Sequence, residues 1–452
     1  MITFDTAIAA AKQTIQNWSG YVGLSEATII RDVFGKLSFW FSGTGSLDKN
    51  GLETALHRQL GDYDAQHIFW TGENYNELTQ ALLQEVDARR HLDSTDGNCT
   101  WYLLERTIAK KAWLDYSGQV TPIWSYDDAE SGKQPKIVTF YSFKGGMGRT
   151  TALAATALLL AQHGRHVLAI DTDIEAPGLA TLFFDENQIQ HGTVDFYLEP
   201  STRSQGTINM TPYLKQVDDP KLTEGMTGSI YIIPAGSVDD HYVQKLGRID
   251  YQDIVENGMR DQLTRLIESA ANFIQSSGYP LDYILLDARA GFHDMGGVVT
   301  AHLPHGAVLF GKNNTQSWNG LRQVIQTLAS TQSEPLSIAI VASMSGDSEE
   351  QRQLFKSRAH TLCCENYYAY LPDDVPGIDA EEVAHTPIYI PYASGLSEEV
   401  RLYSDGSEVQ NRMVAQAKSV LCSAEYGKIE NRIRQWFGDE RQEEEVQERG
   451  EQ

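Results

Sequence analysis

The stretch KIVTFYSFKGGMGRTTALAATALLL, residues 136–160, decides the fold. Its first seven residues are mostly apolar or β-branched, which suits a strand buried on both faces of a sheet. A glycine-rich turn follows, Lys144-Gly145-Gly146-Met147-Gly148. Arg149, Thr150 and Thr151 then open an alanine- and leucine-rich segment that reads as helix to His163, with Gly164 as its stop. A strand, a glycine loop and a helix in this order make a phosphate site for a physical reason. The loop amides point inward, glycines let the backbone approach closely and take positive φ, and the helix start adds its positive dipole end. The helix is apolar on nearly every side, so it belongs buried against the sheet.

Outward from this unit, short apolar strands alternate with helical stretches. Strands are expected at 166–171, 229–236, 282–288, 306–311, 337–343 and 387–392, and helices at 259–275, 318–330 and 349–363. The alternation predicts an α/β, doubly wound, mostly parallel sheet over residues 136–403. Residues 1–124 read as a separate α+β domain, with helices at 4–18, 52–60, 76–90 and 101–113 and a strand in KLSFWFSG. The polar stretch at 125–135 reads as a linker. Residues 404–437 read as a helical extension, and 438–452 as an acidic, disordered tail.

Composition excludes several classes. With 36 Lys and Arg against 61 Asp and Glu, the net charge of −25 argues against a broad nucleic-acid or anionic-membrane surface. The four cysteines form no CxxC pair, which argues against a thiolate zinc or iron–sulfur site. No apolar run approaches the ~20 residues of a membrane span, and the start lacks a basic region followed by an apolar one. The chain reads as soluble and cytoplasmic.

The common phosphate loop GxxxxGK[ST] is missed at two places: Phe143 stands for the first glycine and Arg149 for the lysine. Lys144 directly before two glycines resembles the deviant loop KGGxGK[ST] of the ParA/MinD (SIMIBI class) P-loop ATPases, in a KGGxGR variant. Further blocks follow in the order of that family. VLAIDTDIEAPG, residues 167–178, resembles its switch I block; DYILLDARAGFHD, residues 282–294, resembles its Walker B strand and switch II; PIYIPY, residues 387–392, resembles a late strand whose proline lies beside the base. The resemblance implies ATP and Mg2+ as cofactors. It gives the cradle to Gly145, Gly146, Met147, Gly148, Arg149, Thr150 and Thr151, with Pro391 as an adenine contact. It gives metal-side roles to Thr150, Asp171 and Asp287, and the positioning of the attacking water to Asp173. Lys144 takes the place of a lysine that reaches across a sandwich homodimer to the partner's phosphates. His293 and Asp294 read as exposed loop residues.

Arginine at 149 is longer than lysine, planar and bidentate, so it can hold phosphate without filling the lysine's spot. A loss of about 3 kcal/mol of transition-state stabilisation would slow hydrolysis roughly hundredfold. The expectation is a slow ATPase acting as a nucleotide-dependent dimerising switch. Its output would be a protein effector partner engaged through the N-terminal domain, and multidomain KGGxGR proteins of bacterial conflict and antiviral operons resemble it. Two alternatives stand beside it: a hydrolysis-poor ATP-binding assembly module in which Arg149 locks ATP, and a ParA-like DNA-positioning ATPase, which the charge disfavours. A membrane role is disfavoured too, because the acidic C-terminus is no basic amphipathic helix.

Overall fold

The computed structural model describes residues 2–44, 48–97, 99–199, 206–256, 258–346, 348–371, 375–393, 396 and 400–439. The chain forms two compact units, Met1–Ala109 and Lys110–Gln452.

The first unit is built on β1 (Leu24–Arg31), β2 (Leu37–Gly43), β3 (Asp64–Trp70), β4 (His91–Asp96) and β5 (Cys99–Glu105). Their order in the sheet is β3-β2-β1-β5-β4. The pairs β1/β2 and β4/β5 are antiparallel, and β1/β5 and β2/β3 are parallel. Helices Phe4–Gln16 and Lys49–Leu60 bury Ala7, Ala11, Ile15, Leu52, Leu56 and Leu60 at intervals of four residues against Phe39, Phe41 and Trp101. The helix expected over 101–113 does not form. Cys99 and Trp101 are buried while Thr100 and Tyr102 are half-exposed, a period of two that makes β5, and only a single 3-10 turn, Lys111–Leu114, follows.

The second unit carries β6 (Lys136–Ser142), β7 (Val167–Asp171), β8 (Lys215–Gln216), β9 (Ile230–Ile233), β10 (Tyr283–Asp287), β11 (Gly306–Gly311), β12 (Ser337–Ser345) and β13 (Ile388–Pro391). The order is β13-β12-β11-β6-β10-β7-β9-β8. Every neighbouring pair is parallel except β8/β9. All seven residues of β6 are buried. Ile137 and Tyr141 join a core with helices Met259–Ser276, Thr315–Ser330 and Glu349–Asn366. Val138 and Phe140 join one on the other face with helices Arg149–Gln162, Glu408–Leu421 and Ala424–Trp436. Side chains alternating across one strand thus feed both layers of a doubly wound α/β fold. β6 lies where the winding reverses, with β7 and β9 on one side and β11 to β13 on the other. Ligands of such sheets bind outside the carboxyl ends of the strands at that point.

The boundaries differ from those read in the sequence. The division between units falls at 109/110 and not near 124. Residues 110–124 pack into the second unit, where the Gly118 amide donates to the Ser330 carbonyl at 2.9 Å. The stretch expected as a linker contains helix Tyr126–Glu130, capped by Ser125. Its polar composition is that of a helix start, a serine cap followed by acids in the first turn. The C-terminal extension is two helices, broken at Cys422 and Ser423. Of the acidic tail, residues 440–452 lie outside the described residues, while Asp439 is fully buried. The four cysteines are free. Among the described residues no helix is long and apolar enough to cross a membrane.

Candidate nucleotide site at the carboxyl end of the sheet

β6 ends at Ser142, and the loop that follows turns into the helix Arg149–Gln162. Gly146 (φ 70°) and Gly148 (φ 72°) adopt the left-handed conformation that the turn requires. A Cβ added at Gly145, Gly146 or Gly148 would meet nothing within 4 Å. These glycines are therefore not demanded by packing, and they leave an open backbone cradle at the helix start. Lys144 is exposed at its rim, Met147 is buried beneath it, and Thr150 and Thr151 are half-buried. Phe143, which departs from the common loop pattern, anchors the loop. Its ring lies 5.1 Å from that of Phe292, and it sits so close over Gly320 that a Cβ there would be 2.1 Å from its Cγ.

Asp171 at the end of β7 and Asp287 at the end of β10 are paired in register. Arg149, almost fully buried, links the acids: its Nε donates to Asp287 Oδ1 at 2.5 Å and a terminal nitrogen to Asp173 Oδ2 at 2.8 Å. Thr150 Oγ1 donates to the other Asp287 oxygen at 2.7 Å. Burial works against the Arg149 charge, but the Asp287 and Asp173 carboxylates overcome it and raise its pKa. Burial likewise holds Asp287 above the usual carboxylate range, against the pull of Arg149 and Thr150.

Asp171, expected on the metal side, is engaged by the backbone of its own loop. It is fully buried, and both of its oxygens accept backbone amides: Oδ1 from Asp173 at 3.0 Å, and Oδ2 from Gly178 at 3.1 Å and Leu179 at 3.0 Å. It organises the loop that carries Asp173. Burial, with the charge of Asp287 adding to it, pushes its pKa up to about 8, while the Leu179 and Gly178 amides pull the other way. Pro391, expected beside the base and not at the phosphates, lies away from the loop. It ends edge strand β13, paired with Ser345, three strands from β6 and so about 14 Å away across the sheet.

Several contacts were not legible in the sequence. Thr172 Oγ1 donates to the Asp287 carbonyl at 2.8 Å, fastening the two acidic loops together. Glu175 pairs with Arg289 and, at 2.5 Å, with His293. Asp294 is not an exposed loop acid: it accepts the backbone amide of Lys110 and, at 2.6 Å, the Lys110 ammonium. The signal for the ion pairs was charge of opposite sign on separate segments, and spacing along the chain does not reveal which charges meet; the Thr172 contact had no such signal.

The residues fit a magnesium nucleotide. Asp173 Oδ1 is buried with no hydrogen-bond partner among the described residues, the carboxylates of Asp173 and Asp287 face one guanidinium, and the glycine cradle is open. Among the described residues no group of three or more His, Cys, Asp or Glu side chains could hold a metal by itself. Magnesium here would lean on phosphate oxygens and water, as it commonly does.

Residues 138–385 match the family described as the CobQ/CobB/MinD/ParA nucleotide binding domain. The chain is 40% identical over 65 residues to the chloroplastic MinD homolog of Arabidopsis thaliana, covering 14% of this chain and 20% of that one. It is 27% identical over 174 residues to the septum site-determining protein MinD of Buchnera aphidicola, covering 38% and 52%. The chain thus spans between a fifth and about half the length of these curated relatives. Among solved structures it resembles MinD of Pyrococcus horikoshii complexed with Mg-ADP, at 20% identity and a TM-score of 0.38 over 64% of this chain and 95% of that one. The match to the family spans more than half of the 452 residues and contains the glycine loop and all three acids, so the chain belongs to the CobQ/CobB/MinD/ParA nucleotide-binding-domain family.

Proposed function

We propose that this protein binds Mg-ATP at the start of the helix Arg149–Gln162, hydrolyses it slowly, and closes into a two-chain sandwich while ATP is bound. The observation that carries this is the convergence of Arg149, Thr150, Asp173 and Asp287 beside an open glycine cradle. Gly145 to Thr151 hold the phosphates through their amides and the helix dipole. Thr150 and Asp287 stand on the metal side, and bound magnesium supplies neutralisation of phosphate charge. Asp173, with one oxygen unengaged, orients water for attack. Asp171 keeps the Asp173 loop in shape and takes no metal. Pro391 marks the side of the sheet on which the base rests. Lys144, exposed at the rim, reaches the phosphates of a second chain. The N-terminal unit engages a protein partner.

Light scattering coupled to size exclusion tests the switch, with no nucleotide, Mg-ADP and Mg-ATP, on the wild type and Lys144→Ala. A dimer formed only with Mg-ATP, and lost in the variant, is the expected result. No effect of nucleotide on either protein would overturn the switch. Hydrolysis is tested by phosphate release: a wild-type rate no higher than that of Asp173→Ala would remove turnover from the proposal.

One observation favours a second reading, an ATP-holding assembly module without turnover. Arg149 is gripped by both acids, at 2.5 and 2.8 Å, and must loosen that grip to meet phosphate. Dimerisation by Mg-ATP without phosphate release would select this reading. A DNA-positioning role, disfavoured by the net charge of −25, would show as DNA binding that weakens steeply with salt.

A further inference from the structure

We propose that Lys110 and Trp113, which precede the family domain, are positioning residues for its second switch segment, 289–294, and tie the nucleotide site to the end of the N-terminal unit. This rests on the nucleotide-switch reading above.

The segment after Asp287 is held from two sides. On one side Glu175, two residues beyond Asp173, pairs with Arg289 and His293. On the other side lies a strap formed by residues 110–120. Its first residue, Lys110, takes the left-handed conformation (φ 63°) and gives both its amide and its ammonium to Asp294. Trp113 is buried, and its indole Nε1 donates to the His293 carbonyl at 2.7 Å.

The Trp113 ring lies 5.3 Å from Tyr141, on β6 just before the loop, and 5.3 Å from Phe292. Phe292 lies 5.1 Å from Phe143, the first residue of the loop itself. The fit is close: a Cβ at Gly297 would be 2.9 Å from the Trp113 indole nitrogen. Past Trp113 the strap is fastened to the helix Thr315–Ser330 and its end. Thr327 donates to the Trp113 carbonyl at 3.1 Å, and Thr331 to the Asp115 carbonyl at 2.6 Å.

The strap therefore has an anchored downstream part and an upstream end resting on switch residues. Ala109, the last residue of the first unit, is bonded directly to that end. The family match begins at residue 138, so the strap lies outside the matched residues. Motion of the Asp173 loop passes through Glu175 to 289–293, then through His293 and Asp294 to the strap, and reaches the junction at Ala109. Such transmission requires only that the contacts have two discrete arrangements biased by the ligand.

The test is amide hydrogen exchange of the full chain with and without Mg-ATP, with binding measured separately by equilibrium dialysis. Slowed exchange at 110–118 on binding is expected in the wild type and in Lys110→Arg, and should vanish in Lys110→Gln and Asp294→Asn. Steady-state phosphate release adds a second readout. Trp113→Phe, which keeps an aromatic ring but loses the N–H and part of the indole's volume, should lower kcat about five- to tenfold with KM for ATP within twofold. Mg-ATP binding with unchanged exchange at 110–118 would overturn this proposal alone. Absence of Mg-ATP binding would overturn the nucleotide reading and this proposal with it.

Discussion

Replacing Arg149 by methionine removes the one cation that Asp173 and Asp287 share while keeping most of the side-chain volume. The arginine is buried and makes ion-paired hydrogen bonds of 2.5 and 2.8 Å to the two acids. At an effective dielectric of about 20, unit charges ~4 Å apart attract by ~4 kcal/mol. Desolvation offsets much of that while the pair exists, but removing one partner strands the other charge, a loss of typically ~3–5 kcal/mol. The second unit, Lys110–Gln452, has 452 − 109 = 343 residues. At ~2.1 cal/mol/K of unfolding entropy per residue, that loss lowers its Tm by roughly 4–7 °C. Differential scanning calorimetry of the full chain reads this directly, and the Met1–Ala109 transition serves as an internal reference that should not move. Arg149→Lys, whose ammonium reaches one acid at a time, should lose about half as much. Adding Asp173→Asn to Arg149→Met should recover part of the loss, because one stranded charge is gone. A second-unit Tm within 1 °C of wild type in Arg149→Met would refute the reasoning: the acids would then be protonated or solvated, and the arginine would not be holding them.

Three other outcomes follow from the packing and charges. Gly320→Ala places a Cβ 2.1 Å from the Phe143 ring, so it should destabilise the second unit by about 1–3 kcal/mol in urea unfolding, and Phe143→Ala in the same chain should relieve part of that. His305 is fully buried and neutral, accepting from the Ile137 amide at 3.0 Å and donating to the Trp124 carbonyl at 3.0 Å. Burial pushes its pKa down to about 4, so its contribution is present above about pH 6.5 and is lost as pH falls toward 4, roughly 3 kcal/mol in all. His305→Phe should flatten that limb of a stability–pH curve. Asp439→Ala leaves the buried Lys136 ammonium without its partner at 2.9 Å and should lower second-unit stability by ~3–5 kcal/mol in the same unfolding assay.

The parallel core was legible because buried strands flanked by glycine turns are short, dense and apolar. The strands expected at 136–142 and 306–311 coincide with β6 and β11. The glycine loop was legible because positive φ and close approach leave few residue choices, and Gly146 and Gly148 take that φ. The same clarity was missing in CTWYLLER. Aromatic and leucine side chains suit either period, and only the pairing of β5 with β1 and β4 decided for strand. The junction misled for another reason. Its polar residues serve as helix caps and tertiary hydrogen bonds, and composition alone reads those as solvent exposure. At the site, the identity of the acids could be read but not their directions. Asp171 and Asp173 are two residues apart, yet one faces its own loop's amides and the other faces Arg149.

Asp439 has a practical bearing on how the protein can be handled. Its carboxylate closes over Lys136 and Tyr283, the first residues of β6 and β10, at the pole of the sheet opposite the glycine loop. The two poles are separated by the seven residues of β6, about 20 Å. A fluorophore or purification handle attached beyond Asp439 thus begins on the side away from the phosphates, where it need not perturb nucleotide chemistry. Trimming back to Phe437 is another matter: it would take the partner from the buried lysine that opens the central strand, and a preparation shortened there would lose stability while keeping every catalytic residue.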